Sequence, residues 1–187
     1  KLPLFFILIL VGCTTAPTSI HQIQLEKIRD QTSSNLSKVK VGLDVLLDDQ
    51  LELIQNKSIG LVTNQTGVDG NGKPNYERFM ALDDVALKII FSPEHGLFGE
   101  AAAGEKVQYN GQMKSLPKVV SLYGKNRKPT KEQLADLDII IYDIQDIGAR
   151  FYTYISTMGL VMEAAAEAGI QIIVLDRPNP ITGNRVE

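Results

Sequence analysis

Cysteine and tryptophan are nearly absent from this chain of 187 residues, which has one Cys, no Trp and only 6% aromatic residues. A single Cys cannot form a disulfide within the chain, so a disulfide-stabilised scaffold is excluded. A zinc site built from cysteines alone is excluded for the same reason. Without Trp, the chain also lacks the means to build a carbohydrate-binding surface of stacked indole rings.

An excess of positive charge is missing as well, since 19 Lys and Arg residues face 22 Asp and Glu residues and give a formal charge of -3. General nucleic-acid binders need a basic stripe that neutralises phosphates, so we expect no nucleic-acid partner. The hydrophobic fraction of 44% excludes a wholly disordered chain. The length predicts one domain, or one domain with a tail.

No hydrophobic run is long enough to span a membrane, because the apolar residues 2–11 are about half of the roughly 20 that a transmembrane helix needs. A positive Lys1 before this short apolar core predicts a secretory signal peptide over residues 1–12. The run ends in Leu10-Val11-Gly12-Cys13. This ending resembles the bacterial lipobox, in which the Cys is lipidated after cleavage. We therefore expect a lipid anchor on Cys13 and a lipid-anchored protein of the cell envelope, on the periplasmic or extracellular face. A signal peptide with an incidental Cys is the alternative.

Residues 13–40 are polar and turn-rich in two places, which predicts a tether between the anchor and a folded domain over residues 41–187. In that domain, spacing and capping residues predict helices over residues 44–55, 75–82, 131–137 and 151–168. Strands are predicted over residues 57–63, 85–91, 118–122, 138–143 and 171–176. The strands are nearly continuous runs of Ile, Val and Leu, which is typical of parallel strands covered by helices on both faces. The sequence therefore predicts an α/β fold with a Rossmann-like, mostly parallel sheet flanked by helices.

No Gly-x-Gly-x-x-Gly motif follows a strand and no Walker A motif occurs, so dinucleotide-binding and P-loop functions lose their main support. Ligands of such sheets bind outside the carboxyl ends of the strands. Polar residues follow four of the predicted strands, at residues 63–65, 92–96, 143–146 and 176–180. We expect these residues to line a cleft; turns and helix caps of similar composition are the alternative.

Five blocks of the chain resemble a known family. They are Asn64-Gln65-Thr66-Gly67, Phe91-Ser92-Pro93-Glu94-His95-Gly96-Leu97-Phe98-Gly99, Ser121-Leu122-Tyr123-Gly124, Asp143-Ile144-Gln145-Asp146-Ile147-Gly148-Ala149-Arg150-Phe151-Tyr152-Thr153-Tyr154 and Leu175-Asp176-Arg177-Pro178-Asn179-Pro180. Their content and order resemble the NamZ-type (YbbC-like) exo-β-N-acetylmuramidases, from about Val41 to the chain end.

The resemblance implies an envelope hydrolase that releases N-acetylmuramic acid from the non-reducing end of peptidoglycan fragments, in cell-wall turnover and recycling. We expect no cofactor. The family's fold is a Rossmann-like domain followed by a second, smaller α/β domain. Because the sequence stops at Glu187, we expect a fragment that lacks this second domain. Residues 110–117 depart from the usual sequence pattern of the family, so we expect the substrate preference of this protein to differ from that of other members.

Glycoside cleavage needs a proton donor for the leaving oxygen and stabilisation of an oxocarbenium-like centre. Glu94 is the predicted acid, because it follows a strand directly among Phe91, Leu97 and Phe98, and apolar surroundings favour a protonated carboxyl. His95 is predicted to orient Glu94 or to hold the substrate. A loop-capping Glu94 and a structural His95 are the alternatives.

Asp143 and Asp146 form a second acidic cluster. They are predicted to orient the 2-acetamido group of the substrate, which then acts as an internal nucleophile, as in substrate-assisted hydrolases. A direct role of Asp143 as nucleophile or base is a further possibility. The structural alternative is a salt bridge between either carboxylate and Arg150.

Other polar residues of the blocks are candidates for substrate binding. Arg150 and Arg177 are predicted to bind the lactyl carboxylate of muramic acid, since a guanidinium matches the geometry of a carboxylate. Asn64, Tyr152 and Tyr154 are expected to contact sugar hydroxyls.

A metal site is not expected, because His95 is the one plausible His ligand and His21 lies in the tether. The alternative to an enzyme is a non-catalytic envelope lipoprotein that binds muropeptides in the same cleft.

Overall fold

The computed structural model describes residues 39–100 and 115–181. The predicted signal peptide, Cys13 and nearly all of the predicted tether lie outside the described residues, as does much of the segment 110–117. Within the part of the chain that is described, no helix is both long enough and apolar enough to cross a membrane.

The first helix, α1, spans Gly42–Asp49, and a 3₁₀ turn follows at Leu51–Leu53 where one continuous helix is predicted. Asp48 and Asp49 lie at the carboxyl end of α1, and no basic residue lies in its last turn. Negative side chains at this end oppose the helix dipole, which favours an early end of the helix. Lys40 compensates in part, since its Nζ lies 3.2 Å and 3.0 Å from the two carboxylates.

Five strands form one sheet: β1 (Ser58–Thr63), β2 (Ala86–Ser92), β3 (Lys118–Ser121), β4 (Ile139–Asp143) and β5 (Gln171–Val174). Every neighbouring pair is parallel, and the strand order is β3-β2-β1-β4-β5. The predicted α/β fold is confirmed, and each predicted strand is found close to its expected bounds.

Three further helices connect the strands: α2 (Asn75–Met80), α3 (Lys131–Leu134) and α4 (Tyr154–Ala168). A capping box of Thr130 and Gln133 starts α3. Helix α4 begins later than the predicted residue 151, because residues 150–153 form turns instead. It ends at Gly169, whose φ of 70° allows its N–H to bond back to the carbonyls of Ala165 and Ala166.

Helices cover both faces of the sheet, which explains the continuous apolar runs of the strands. In β4, Ile139 and Ile141 point to one face and Ile140 and Tyr142 to the other. The first face packs against α1 and α2, and the second against α3 and α4. The core residues contributed by these helices include Leu43, Leu46, Phe79, Leu134 and Val161. This packing holds the strand ends at one edge of the sheet.

Candidate active site

The polar residues after the strands share one edge of the sheet, because all five strands are parallel. After β3 the chain returns to the far side of β1, so β4 lies beside β1 and pairs Thr63 with Asp143 at the strand ends. A reversal of strand order leaves a crevice outside the carboxyl ends of the two strands, and ligands of open α/β sheets bind there. The candidate site is therefore centred on the ends of β1 and β4.

Asp143 forms the floor of this crevice and is fully buried. Arg177 binds it with two parallel hydrogen bonds, from Nε to Oδ1 at 2.7 Å and from Nη2 to Oδ2 at 2.9 Å. The same Nη2 also donates to the carbonyl of Val68 at 2.9 Å. Paired guanidinium and carboxylate groups of this geometry are among the stronger polar contacts in proteins. The predicted roles of Asp143 in catalysis and of Arg177 in binding stay predictions, and the structure shows both groups engaged with each other.

Asn75 and Thr63 complete the polar floor. Asn75 Nδ2 donates to Thr63 Oγ1 and to Asp143 Oδ2, both at 2.7 Å, and Thr63 Oγ1 donates to the carbonyl of Asp143 at 2.9 Å. Asn75 Oδ1 is buried without a partner among the described residues. Gly67 packs onto this network, since a Cβ at that position would overlap Asn75 and Thr63. The network explains a glycine in the first sequence block.

Asn64, a predicted binding residue, is buried and shapes the loop after β1. Its Oδ1 accepts from the N–H and the hydroxyl of Thr66, at 3.0 Å and 2.6 Å. Its Nδ2 donates to Tyr154 Oη at 2.9 Å. Because Tyr154 Oη accepts this bond, its own O–H can donate to a second acceptor, and the phenol of Tyr152 is such a partner. In the structure Asn64 thus orients a phenol rather than presenting its amide to the crevice.

Tyr152 and Tyr154 stand edge to face, with ring centroids 4.9 Å apart. Burial, together with Tyr152 and the charge of Glu94, raises the pKa of Tyr154 to about 12. Burial also raises the pKa of Tyr142, whose Oη donates to the carbonyl of Tyr154 at 2.9 Å. The phenol of Tyr154 therefore stays protonated and able to donate at physiological pH.

Glu94, the predicted acid, lies two residues after the end of β2 and is half-buried. Its Oε2 accepts a hydrogen bond from Thr153 Oγ1 at 3.1 Å. Of the three apolar residues expected around it, Phe91 and Leu97 are buried, whereas Phe98 is 41% exposed. Glu94 is thus partly shielded and remains reachable from the edge of the sheet.

His95 has a φ of 71° and is followed by Gly96 with a φ of 78°. The N–H of Gly96 closes a turn onto the carbonyl of Pro93 at 3.1 Å. A residue other than glycine in the left-handed region is uncommon, and such positions cluster at functional sites. Two consecutive left-handed residues bend the chain sharply after Glu94 and so set the direction of the loop. The predicted role of His95 stays a prediction.

Asp146 is partly buried and stabilises its own loop, with Oδ1 accepting from the N–H of Gly148 at 2.6 Å. Gln145 Nε2 joins this loop to the loop after β5, through bonds to the carbonyls of Asp146 at 2.8 Å and Pro178 at 2.9 Å. Asp146 also lines a cavity of about 230 Å³ with Tyr154 and Arg177. Among the described residues, its Oδ2 has no hydrogen-bond donor.

Arg150 is exposed on the same loop, and no described acidic residue forms an ion pair with it. The structural salt bridge considered for Arg150 is formed by Arg177 and Asp143 instead. Among the described residues, no group of three His, Cys, Asp or Glu side chains is placed to hold a metal ion.

Two residues of the site are not singled out by the sequence. Asn75 carries no signal, because it lies outside the five blocks and meets Asp143 only through the fold, across 68 positions. Thr153 lies within the fourth block, so its place in a motif was a usable signal.

Known proteins resemble this chain in both sequence and structure. The family model described as "Exo-beta-N-acetylmuramidase NamZ, N-terminal" matches residues 59–187. The chain is 47% identical over 160 residues to a protein of Bacillus subtilis (strain 168) described as peptidoglycan beta-N-acetylmuramidase NamZ. That match covers 85% of this chain and 38% of the relative, so the chain spans well under half of the relative's length.

Two solved structures, both of DUF1343 family proteins from Bacteroides fragilis NCTC 9343, share the fold. The first has a TM-score of 0.70 at 44% identity and covers 79% of this chain and 36% of its own. The second has a TM-score of 0.60 at 35% identity and covers 77% of this chain and 36% of its own. With the family model matching more than half of its residues, the chain belongs to the NamZ exo-β-N-acetylmuramidase family, in the region of that family's N-terminal domain.

Proposed function

We propose that this protein is an exo-acting glycosidase that releases N-acetylmuramic acid from the non-reducing end of peptidoglycan fragments, in cell-wall turnover and recycling. The observation that carries the proposal is the position of Glu94. It is a half-buried carboxyl two residues after the end of β2, held by Thr153 beside the crevice between the ends of β1 and β4. The description of the B. subtilis relative as a peptidoglycan beta-N-acetylmuramidase supports muramic acid as the sugar.

In the proposed reaction, Glu94 gives its proton to the glycosidic oxygen. The bond between this oxygen and the anomeric carbon breaks, and the electron pair leaves with the oxygen. The 2-acetamido oxygen of the same sugar forms a bond to the anomeric carbon and gives a cyclic oxazolinium intermediate. Water then attacks the anomeric carbon, the bond to the acetamido oxygen breaks, and the proton that water loses returns to the carboxylate of Glu94. Asp146 is the better candidate to orient the acetamido N–H, because the carboxylate of Asp143 is already bound by Arg177 and Asn75.

We assign the lactyl carboxylate of the substrate to Arg150 rather than to Arg177. The Nε and Nη2 groups of Arg177 already donate hydrogen bonds to Asp143 and to the carbonyl of Val68, and the side chain is only 6% exposed. Arg150 is exposed on the loop after β4 and has no ion pair with a described acidic residue, so its guanidinium can bind a carboxylate with two hydrogen bonds.

The test compares the full-length wild type with Glu94→Gln on a muramic-acid-containing disaccharide. The substitution keeps the shape of the side chain and removes its acidic proton, so the rate should fall about 10²–10⁴-fold while binding persists. A β-N-acetylglucosaminide, which lacks the lactyl carboxylate, is the matched control substrate and should not be cleaved. A wild type that binds muropeptides without cleaving them would support the non-catalytic alternative. Near wild-type rates in Glu94→Gln would exclude Glu94 as the acid.

We also propose that lipidation of Cys13 anchors the protein to a membrane of the cell envelope. The support is the sequence Leu10-Val11-Gly12-Cys13 after a short apolar run, together with the membrane affinity that acyl chains provide. Cys13→Ser should move the protein from the membrane fraction to the soluble fraction, and the wild type should carry acyl mass. Unchanged fractionation without acyl mass on the wild type would refute the anchor.

A further inference from the structure

Thr153 occupies the N-cap position of α4 but does not cap the helix. An N-cap residue is usually extended, so that its side-chain oxygen accepts a bond from an N–H of the first turn. Thr153 has φ -78° and ψ -14°, in the right-handed helical region, and its side chain makes no capping hydrogen bond. Its hydroxyl is therefore free of the role that threonine normally has at this position.

The hydroxyl is directed at Glu94 instead. Thr153 Oγ1 donates to Glu94 Oε2 at 3.1 Å, joining two loops that are 59 positions apart in the sequence. Thr157, one helical turn later, donates its own hydroxyl to the carbonyl of Thr153 at 3.3 Å, which supports the backbone at this point. Among the described residues, no other side chain forms a hydrogen bond to the Glu94 carboxyl, so this contact sets its orientation.

We propose that Thr153 is a positioning residue for Glu94, an inference that rests on Glu94 being the acid of the proposed function. The hydroxyl donates to Oε2, so the acidic proton of Glu94 is placed on Oε1. During cleavage the Oε1–H bond breaks and the proton joins the glycosidic oxygen, whose bond to the anomeric carbon breaks in turn. The bond from Thr153 then becomes a hydrogen bond to a carboxylate, which is stronger than the bond to the protonated acid.

Three variants of the full-length protein test this role: Thr153→Val, Thr153→Ser and the control Ser156→Ala. Valine keeps the shape of threonine and removes the hydroxyl, whereas serine keeps the hydroxyl. Losing one hydrogen bond to a charged group predicts a decrease of about 10-fold in kcat on a natural disaccharide for Thr153→Val, with little change in KM. Thr153→Ser should restore most of the rate. Ser156→Ala removes an exposed hydroxyl from the first turn of α4, away from the contact between Thr153 and Glu94, and should stay near the wild type.

Leaving-group dependence separates positioning from general damage to the fold. A 4-nitrophenyl muraminide needs little protonation of its leaving group, so Thr153→Val should lose much less activity on it than on the disaccharide. In a Glu94→Gln background, adding Thr153→Val should cause little further loss, because both changes remove the same step. Equal losses on both substrates, a failure of serine to restore the rate, or additive losses would overturn the inference. A wild type that cleaves neither substrate would overturn the proposed function itself, and the inference with it.

Discussion

Arg150 and Arg177 lie in loops that follow adjacent strands, but only Arg177 is buried. A buried guanidinium needs compensating acceptors, and Arg177 finds them in the carboxylate of Asp143 and the carbonyl of Val68. An exposed guanidinium loses little when it has no protein partner, because water solvates it. The difference in burial therefore gives the two arginines different roles: Arg177 stabilises the site, and Arg150 remains accessible to a ligand.

Tyr154 is a second residue whose environment defines its chemistry. Its raised pKa, about 12, keeps the phenol protonated, and Asn64 occupies its acceptor side from 2.9 Å. The phenol of Tyr154 also has a hydrogen bond with Tyr152, so Asn64 and Tyr152 together fix its position near Glu94. This network explains why a buried amide follows β1.

At the scale of elements, helix α4 and its C-cap each contain a glycine, and the two glycines have opposite backbone requirements. Gly159 lies inside the helix, whereas Gly169 ends it with a φ of 70°, and an added Cβ would meet no atom within 4 Å at either position. Gly159→Ala should raise the free energy of unfolding by about 0.5–1 kcal/mol, because alanine is the better helix former. Gly169→Ala should lower it by about 1–2 kcal/mol, because the left-handed conformation is strained for alanine. Urea denaturation measures both changes.

The two variants control each other, since they make the same substitution at positions with opposite backbone conformations, one helical and one left-handed. Neither residue lies at the candidate site, so activity per folded molecule should be unchanged in both. Equal stability changes of the same sign would show that packing, rather than backbone conformation, decides the effect at one of the positions.

The elements themselves were predictable because their signals are local. The strands are apolar runs, α3 starts at the capping box of Thr130, and α4 ends at Gly169. The failures also have local causes. Helix α1 ends early beside Asp48 and Asp49, and α4 begins after the turns at residues 150–153. In both places the signal for continuing a helix competes with charge or with loop contacts that hydrophobic spacing does not report.

At the scale of the whole molecule, the position of the site was predictable and its internal contacts were not. Parallel strands bring their carboxyl ends to one edge whatever the details of packing, so Asn64, Glu94 and Asp143 were expected there. Which arginine pairs with Asp143 depends on side-chain reach across the finished fold; the sequence suggested Arg150 only as a structural alternative, and the fold places Arg177 there. Asn75 was missed for the same reason, since its contact with Asp143 exists only in the folded chain.

The pair of Asp143 and Arg177 links the ends of β4 and β5 and, through Val68, the loop after β1. These segments are as many as 109 positions apart, so the contacts form only when the sheet is assembled. A buried pair of this kind contributes little net stability compared with well-packed apolar residues, but removing one partner leaves an uncompensated buried charge. Its loss should therefore affect the unfolding of the whole domain rather than one loop.

Asp143→Asn should lower the free energy of unfolding by about 3–5 kcal/mol, because Arg177 would remain buried without a counter-charge. The matched control is Glu167→Gln at the exposed pair with Lys128, whose Nζ and Oε1 lie 2.8 Å apart. Water screens exposed pairs, so this control should change stability little. Urea denaturation of both variants gives the comparison, and the double variant Asp143→Leu with Arg177→Met should recover much of the loss by removing both charges. If Asp143→Asn instead unfolds like the wild type and yet cleaves no disaccharide, Asp143 acts directly in the reaction and the structural role assigned to the pair is wrong.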